Sequence, residues 1–215
     1  MKKLFQFCLL ATFCLIQTLH AQNGGDPSTK GYLFSRFVPG FVKMKNGATQ
    51  TVSLNYNMLE QSLIYLQDDQ QMTITNPDEV EFVMINDAKF IAIKGKFYHQ
   101  ITETPVALLV TYTAKVDRMV PTADKAATEK RDQDVVSNTV SDTYVTKRYK
   151  QDFNYTPGKT YWLKNGQVLT KANTEKQVAA AFPKKSDEIR TYMKENKTDF
   201  SDVGSVEKVI LFANE

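Results

Sequence analysis

The segment VALLVTYTAKV (106–116) decides the fold, because its residues alternate with the period of two that is typical of a β-strand. The segment TVSLNYN (51–57) has the same period. In the longer segment, one side carries Val106, Leu108, Val110 and Tyr112, and the other carries Thr111, Thr113 and Lys115. This alternation predicts strands that bury one face.

Between these two segments lie five short runs rich in β-branched and aromatic residues: QSLIYL, QMTIT, VEFVMI, KFIAI and KFYHQI. They are separated by turn-forming residues, namely Asp68-Asp69, Asn76-Pro77, Asn86-Asp87 and Gly95. Short strands joined by tight turns predict an antiparallel β-meander that forms a sandwich or barrel-like sheet.

From Thr174 onward the apolar period becomes that of a helix. Pro183 separates a first helix from a second, Asn196 is a suitable end for the second, and Ser201 or Asp202 is a suitable cap for a third. The apolar stripes consist of Val178 with Phe182; Ile189, Tyr192 and Met193; and Val206, Val209, Ile210 and Ala213. The expected fold is therefore mainly β with a helical C-terminus (α+β), ending in two or three short helices.

The pattern also predicts the division of the chain. A β-rich domain is expected over 31–173, with a charged, Thr-rich polar connection at about 119–145, and a helical unit over 174–215. After this connection the strand period returns from Tyr144 to Tyr155. A turn is expected at Pro157-Gly158 before the strand TYWL, and a type I′ hairpin turn at Asn165-Gly166.

The N-terminus has the three parts of a secretory signal: Lys2 and Lys3, an apolar run over 4–16, and small or polar residues up to Ala21. We expect cleavage after Ala21, which makes 1–21 a signal peptide and 22–30 a flexible leader. No later run is long enough to cross a bilayer, so the expected location is the periplasm or the medium.

Cleavage would change the inventory of reactive side chains. Cys8, Cys14 and His20 all lie in the signal, so the remaining 194 of the 215 residues contain no cysteine and one histidine, His99. This composition excludes disulfides, thiol nucleophiles and zinc sites built from Cys and His. Loss of Lys2 and Lys3 lowers the formal charge from +3 to +1, which gives no electrostatic reason to expect nucleic-acid binding.

Three motifs could indicate an enzyme, and none has the full pattern. PGKT (157–160) resembles the end of a phosphate loop, but Phe153 stands where that loop needs glycine and a strand follows it. His99, in KFYHQI, is interpreted as an ordinary strand histidine rather than a general base. The carboxylate groups at Asp68-Asp69, Asp78 to Glu81 and Asp132 to Asp134 are interpreted as solvated turns. No catalytic residue, metal site or cofactor is predicted.

The remaining candidate is an aromatic-rich hairpin made of Trp162, Tyr161, Tyr155 and Tyr149. Amphipathic rings can stack on sugars or anchor a protein interface, so these four residues are the predicted binding residues, with an envelope protein or a glycan as partner. The alternative is structural: Trp162 would be the core residue at which the hairpin meets the helices.

Several C-terminal motifs support a resemblance to a protein group: Leu163 to Gly166, Phe182 to Lys185, and Ile189 to Asn196. Together with GFVKMKNG, LNYNMLEQSLIYL and TNPDEVEFVMI nearer the N-terminus, they resemble uncharacterised exported β-rich proteins of Bacteroidetes-like bacteria. The resemblance implies a location in the cell envelope and a β-rich domain with a helical tail, and it implies no catalytic residue.

These observations together favour an exported, non-enzymatic binding or interaction module. A carbohydrate-binding or carbohydrate-active envelope protein that uses the aromatic hairpin is the alternative, and a hydrolase that depends on His99 is the third hypothesis.

Overall fold

The computed structural model describes residues 30–68, 70–118 and 153–215. Strands make up the first part of the fold and helices the last, which confirms the predicted α+β class. The strands are β1 (Val38–Met44), β2 (Thr49–Asn57), β3 (Ser62–Gln67), β4 (Gln70–Thr73), β5 (Val80–Ile85), β6 (Ala88–Ile93), β7 (Lys96–Gln100), β8 (Val106–Arg118), β9 (Phe153–Asn165) and β10 (Val168–Lys171). The helices are α1 (Glu175–Ala181), α2 (Ser186–Glu195) and α3 (Val203–Asn214), and a 3-10 turn lies at Pro77–Glu79.

All ten strands belong to one sheet, in the order β10-β9-β8-β7-β6-β5-β1-β2-β3-β4. The neighbouring strands of this sheet are antiparallel, and every pair except β1 with β5 joins strands consecutive in sequence. The sheet is therefore two meanders, β1 to β4 and β5 to β10, joined along β1 and β5. Short connections join most of the consecutive strands, but β8 and β9 are separated by 119–152, which lie outside the described residues. The β1–β5 and β8–β9 pairs therefore both join segments far apart in the chain.

The sheet curls so that one face, here called the inner face, folds over itself. In a flat sheet β2 and β6 would lie roughly 14 Å apart, since strands are spaced by about 4.8 Å. The ring of Tyr56 on β2 nevertheless stacks on Phe90 of β6 at 5.5 Å and meets Tyr112 of β8 edge-on at 6.0 Å. The Tyr56 hydroxyl also donates a hydrogen bond to the carbonyl of Tyr112. This curvature agrees with the predicted barrel-like sheet and encloses a large apolar cluster.

The three helices cover the rest of the inner face, over β8 and β9. Leu108, Val110, Tyr161 and Leu163 from these strands share one cluster with the apolar stripes of the helices. Tyr112 packs against this cluster and against the one inside the curl, so the two are continuous. At the end of α3 the Asn214 side chain accepts from the N–H and donates to the carbonyl of Val106. The helices and the sheet therefore share a core.

The predicted helix boundaries are confirmed. Pro183 lies between α1 and α2, and Asn196 follows α2 directly. The Asp202 carboxylate caps α3 by accepting from the N–H groups of Gly204 and Ser205, and the Thr174 hydroxyl accepts from Gln177 to cap α1.

The turn predicted at Pro157-Gly158 is wrong, because both residues lie within β9, opposite Ala114 and Thr113 of β8. Proline fits here because its missing N–H would point away from β8. Tyr161, four residues later and in the same orientation, directs its N–H to the Asn173 side chain and its carbonyl to Ala172. Beyond the reach of β10, no strand of the described ranges lies on this side of β9, and edge positions of this kind tolerate proline.

The β9–β10 hairpin is shifted by one residue from the prediction. Asn165 pairs with Val168, so Gly166 and Gln167 are the two central residues of the turn, and Gly166 has a φ of 57°. Among the other expectations, the signal (1–21), almost all of the leader (22–30), the polar connection (119–145) and the stretch 144–152 lie outside the described residues.

The contact between helices and sheet predicts a large difference between two neighbouring residues of α3. Ile210 is fully buried and Leu211 is 44% exposed. We expect Ile210→Ala to lower the free energy of unfolding by about 2–5 kcal/mol, because it leaves a cavity between α3 and the sheet. The matched control Leu211→Ala should change it by less than about 1 kcal/mol. Denaturant titration followed by circular dichroism measures both, and equal effects would contradict the described packing.

Candidate functional site

The candidate site lies on the outer face of the sheet, opposite the helices. Because successive side chains of a strand point to opposite faces, the residues between the inner-facing ones of β6 to β10 share this outer face. They form a separate apolar cluster, here called the outer patch. Its buried members are Tyr98, Ala107 and Leu109, and its partly exposed members are Ile91, Ile93, Trp162 and Leu169.

Trp162 is held in a defined orientation within the outer patch. Its indole Nε1–H donates to the hydroxyl of Thr111 over 3.0 Å, and the ring meets Tyr98 edge-on at 5.9 Å with an interplanar angle of 89°. The ammonium of Lys171 lies 5.7 Å from the centre of the ring, within the range of a cation–π contact. The indole is therefore a rigid, half-buried group with a cation beside it.

Lysines surround the outer patch. Lys96 shares its face with Tyr98, Lys164 with Trp162, and Lys171 with Leu169, because each pair is two residues apart on one strand. Within the described ranges, none of these three lysines forms an ion pair with a carboxylate. Lys89, further along β6, is paired with Glu103. The outer patch is thus apolar at its centre and positively charged at its rim.

The structure describes three of the four predicted binding residues, Trp162, Tyr161 and Tyr155, and it does not bring these three together. Trp162 faces outward, whereas Tyr161 is only 2% exposed and faces the helices, where its ring lies 6.4 Å from Phe200. Tyr155 is half-buried beside Gly31, and Tyr149 lies outside the described residues. The structural alternative placed Trp162 where the hairpin meets the helices. In the structure that residue is Tyr161.

Sequence reasoning missed the partners of Trp162, which come from neighbouring strands. A signal was present in β8, where Ala107 and Leu109 are apolar although they alternate with the inner-facing Leu108 and Val110. Apolar residues on both sides of a strand indicate that both faces are covered. Tyr98 could not be assigned to the same site from the sequence, since its contact with Trp162 joins β7 to β9 across β8.

His99 lies on β7 with its ring against the inner-face core. The imidazole stacks on Phe90 at 5.1 Å, and its Nδ1 is 2.8 Å from the hydroxyl of Tyr112. Burial lowers the pKa of His99 to about 4, so the ring is neutral at pH 7. No carboxylate in the described part of the chain forms an ion pair with it. These contacts are those of a core histidine.

The other groups considered in the sequence are also dispersed. Asp78 accepts a hydrogen bond from the N–H of Gly95, and Asp132 and Asp134 lie outside the described residues. In the ranges 30–68, 70–118 and 153–215, no three His, Cys, Asp or Glu side chains come close enough together to hold a metal ion. Gly158 to Thr160, the end of the PGKT motif, form part of β9 and not a phosphate loop.

A surface cavity of about 300 Å³ lies beside α2, away from the outer patch. It is lined by Glu175, Arg190, Thr191, Met193, Lys194, Thr198 and Phe200. Its walls contain a single carboxylate and no histidine.

The burial of His99 predicts how stability depends on pH. At pH 7 this residue is neutral in the folded state and mostly neutral in the unfolded state, but the unfolded chain binds a proton near pH 6.5 and the folded chain only near pH 4. The free energy of unfolding should therefore fall as the pH decreases through this window, by about 2 kcal/mol between pH 7 and pH 5.

Denaturant titrations at the two pH values measure this change. His99→Gln keeps a polar side chain beside Tyr112 and has no titrating ring, so most of the difference between the two pH values should disappear in this variant. The same pH dependence in both proteins would contradict the assignment to His99.

No helix in the described ranges combines the length and the apolar character that a membrane crossing requires. Comparison with known proteins finds no family model, no curated protein and no solved structure that matches this chain.

Proposed function

We propose that this chain is exported and acts in the cell envelope or outside the cell as a non-enzymatic interaction module that binds a partner protein through the outer patch. The observation that supports this best is the position of Trp162: it lies half-exposed in an apolar cluster, on a face of the sheet opposite the helices. Buried aromatic anchors at the centre of a contact surface supply a large share of binding energy.

The charge around the outer patch supports a particular kind of partner. Protein interfaces commonly have an apolar centre and a polar rim, and complementary charge at the rim speeds association. Lys96, Lys164 and Lys171 make this rim basic, so the matching surface would present an apolar contact surrounded by Asp and Glu. Because Trp162 and its neighbours lie on strands, little conformational entropy is lost when they bind.

Export is proposed on the N-terminal sequence: two lysines, an apolar run and a small residue at position 21. The absence of cysteine from 22–215 is compatible with an oxidising compartment, since a chain of this length can be stable without disulfides. The resemblance to exported proteins of Bacteroidetes-like bacteria supports the same location.

A glycan is the second candidate partner, because an exposed tryptophan can stack on a sugar ring. The ammonium beside the Trp162 ring would favour a sugar that carries a carboxylate or sulfate. The protein partner is preferred because Tyr98 and Lys171 already occupy positions around the indole, which leaves less of the ring for stacking.

The test is site-specific photo-crosslinking in the native cell envelope. A photoreactive residue in place of Lys96, on the outer face, should capture one dominant protein, whereas the same residue in place of Lys208, an exposed position on α3, should not. The charge reversal Lys164→Glu with Lys171→Glu should reduce capture from position 96 about tenfold, because it makes the rim acidic.

The matched control reverses two exposed lysines away from the outer patch, Lys184→Glu with Lys208→Glu, and should leave capture from position 96 unchanged. Equal capture from positions 96 and 208 would contradict the proposal. Capture of a glycan without a protein would instead favour the second candidate.

A further inference from the structure

The two edges of the sheet differ in how they are protected. Exposed edge strands tend to associate with other chains, and proteins commonly protect them with proline, lysine or covering segments. At the β9–β10 edge, Pro157 and Lys159 lie in β9, Lys171 lies in β10, and Ala172 and Asn173 bond to Tyr161. At the other edge, β4 reads Gln-Gln-Met-Thr, without charge or proline, and all four of its residues are exposed.

The hydrogen-bonding pattern shows which groups of β4 are free. Ile74 follows β4 directly, and its N–H donates a hydrogen bond to the carbonyl of Leu63 in β3. Since ladder bonds on one side of an antiparallel strand involve alternate residues, Gln70 and Met72 also face β3. The N–H and C=O groups of Gln71 and Thr73 therefore point away from the sheet, and no strand in the described ranges pairs with them.

We propose that β4 pairs with β4 of a second copy of this chain, in antiparallel orientation about a two-fold axis at Met72. In this register Gln71 of each copy lies opposite Thr73 of the other, and each such pair exchanges two N–H···O bonds. The two Met72 residues lie directly opposite each other as a non-hydrogen-bonded pair, where side chains approach most closely. Met72 is 42% exposed and is one of four large apolar residues exposed in the described chain.

A second copy is favoured because the edge is complementary to itself. Two identical strands related by a two-fold axis match automatically when their free groups are spaced symmetrically, as Gln71 and Thr73 are around Met72. The same register sets the acidic turn residue Asp68 of one copy opposite Asn76 of the other, so the negative charges do not face each other. The pairing would extend each ten-stranded sheet into one continuous sheet across the dimer.

The test is sedimentation velocity over a wide concentration range, on the protein expressed with its own N-terminus and purified after any processing. The wild type should form a dimer. Met72→Lys alone and Met72→Glu alone should each weaken dimerisation at least about tenfold, because like charges would meet at the two-fold axis. An equimolar mixture of the two variants should restore a dimer, because opposite charges then meet.

Two further variants separate this interface from others. Val168→Lys introduces the same charge at a residue that is 61% exposed on the opposite edge, and it should leave the dimer intact. Thr73→Pro removes an outward N–H without removing a bond to β3, and it should also prevent dimerisation. Circular dichroism checks that each variant is folded.

A wild type that stays monomeric at every concentration would overturn the proposal. So would a dimer that survives Met72→Lys, or failure of the mixed variants to associate. Because none of these substitutions lies in the outer patch, the result is independent of the proposed binding of a partner there.

Discussion

The ring of Tyr56 stacks on Phe90 and also meets the ring of Tyr112 edge-on, and these two contacts require the sheet to bend. These residues come from β2, β6 and β8, which a flat sheet would hold well apart. Once the rings are in contact, the inner face is closed over most of its length and the helices cover the remainder, over β8 and β9. A chain without cysteine in 22–215 depends on this packing for its stability. The fully buried side chain of Tyr56 lies at the centre of it.

Closure of the inner face also places two of the candidate side chains against the core. His99 is drawn into the core beside Phe90 and Tyr112, where burial keeps it neutral, so the histidine contributes to packing. Tyr161 is likewise taken into the core by the helices. The outer face of β6 to β10 has no helix against it in the described chain, and it carries Trp162 with its basic rim. For this reason the proposed contact surface lies on the outer face.

An open sheet has two edges, and here they differ chemically. The edge at β9 and β10 contains proline and lysine and is partly covered by residues 172–173, whereas β4 is uncharged. The outer patch and the β4 edge lie towards opposite ends of the strand order. A dimer formed through β4 would therefore leave an outer patch on each copy free for its own partner, and two linked patches would bind a repetitive partner more tightly than one.

The sequence alone determined the local elements. Strand alternation in 51–57 and 106–116, the helical stripes after Thr174, and the Asp202 cap all depend on residues within a few positions of one another, so each is readable without the fold. The tertiary structure decided what depends on distant residues: the pairing of β1 with β5, the curl around Tyr56, and the opposite orientations of Tyr161 and Trp162. It also decided that Pro157 lies inside a strand, because proline is tolerated where the neighbouring side is an edge. Periodicity shows that a strand has two faces, but which face is buried, and against what, is set by contacts between segments far apart in the chain.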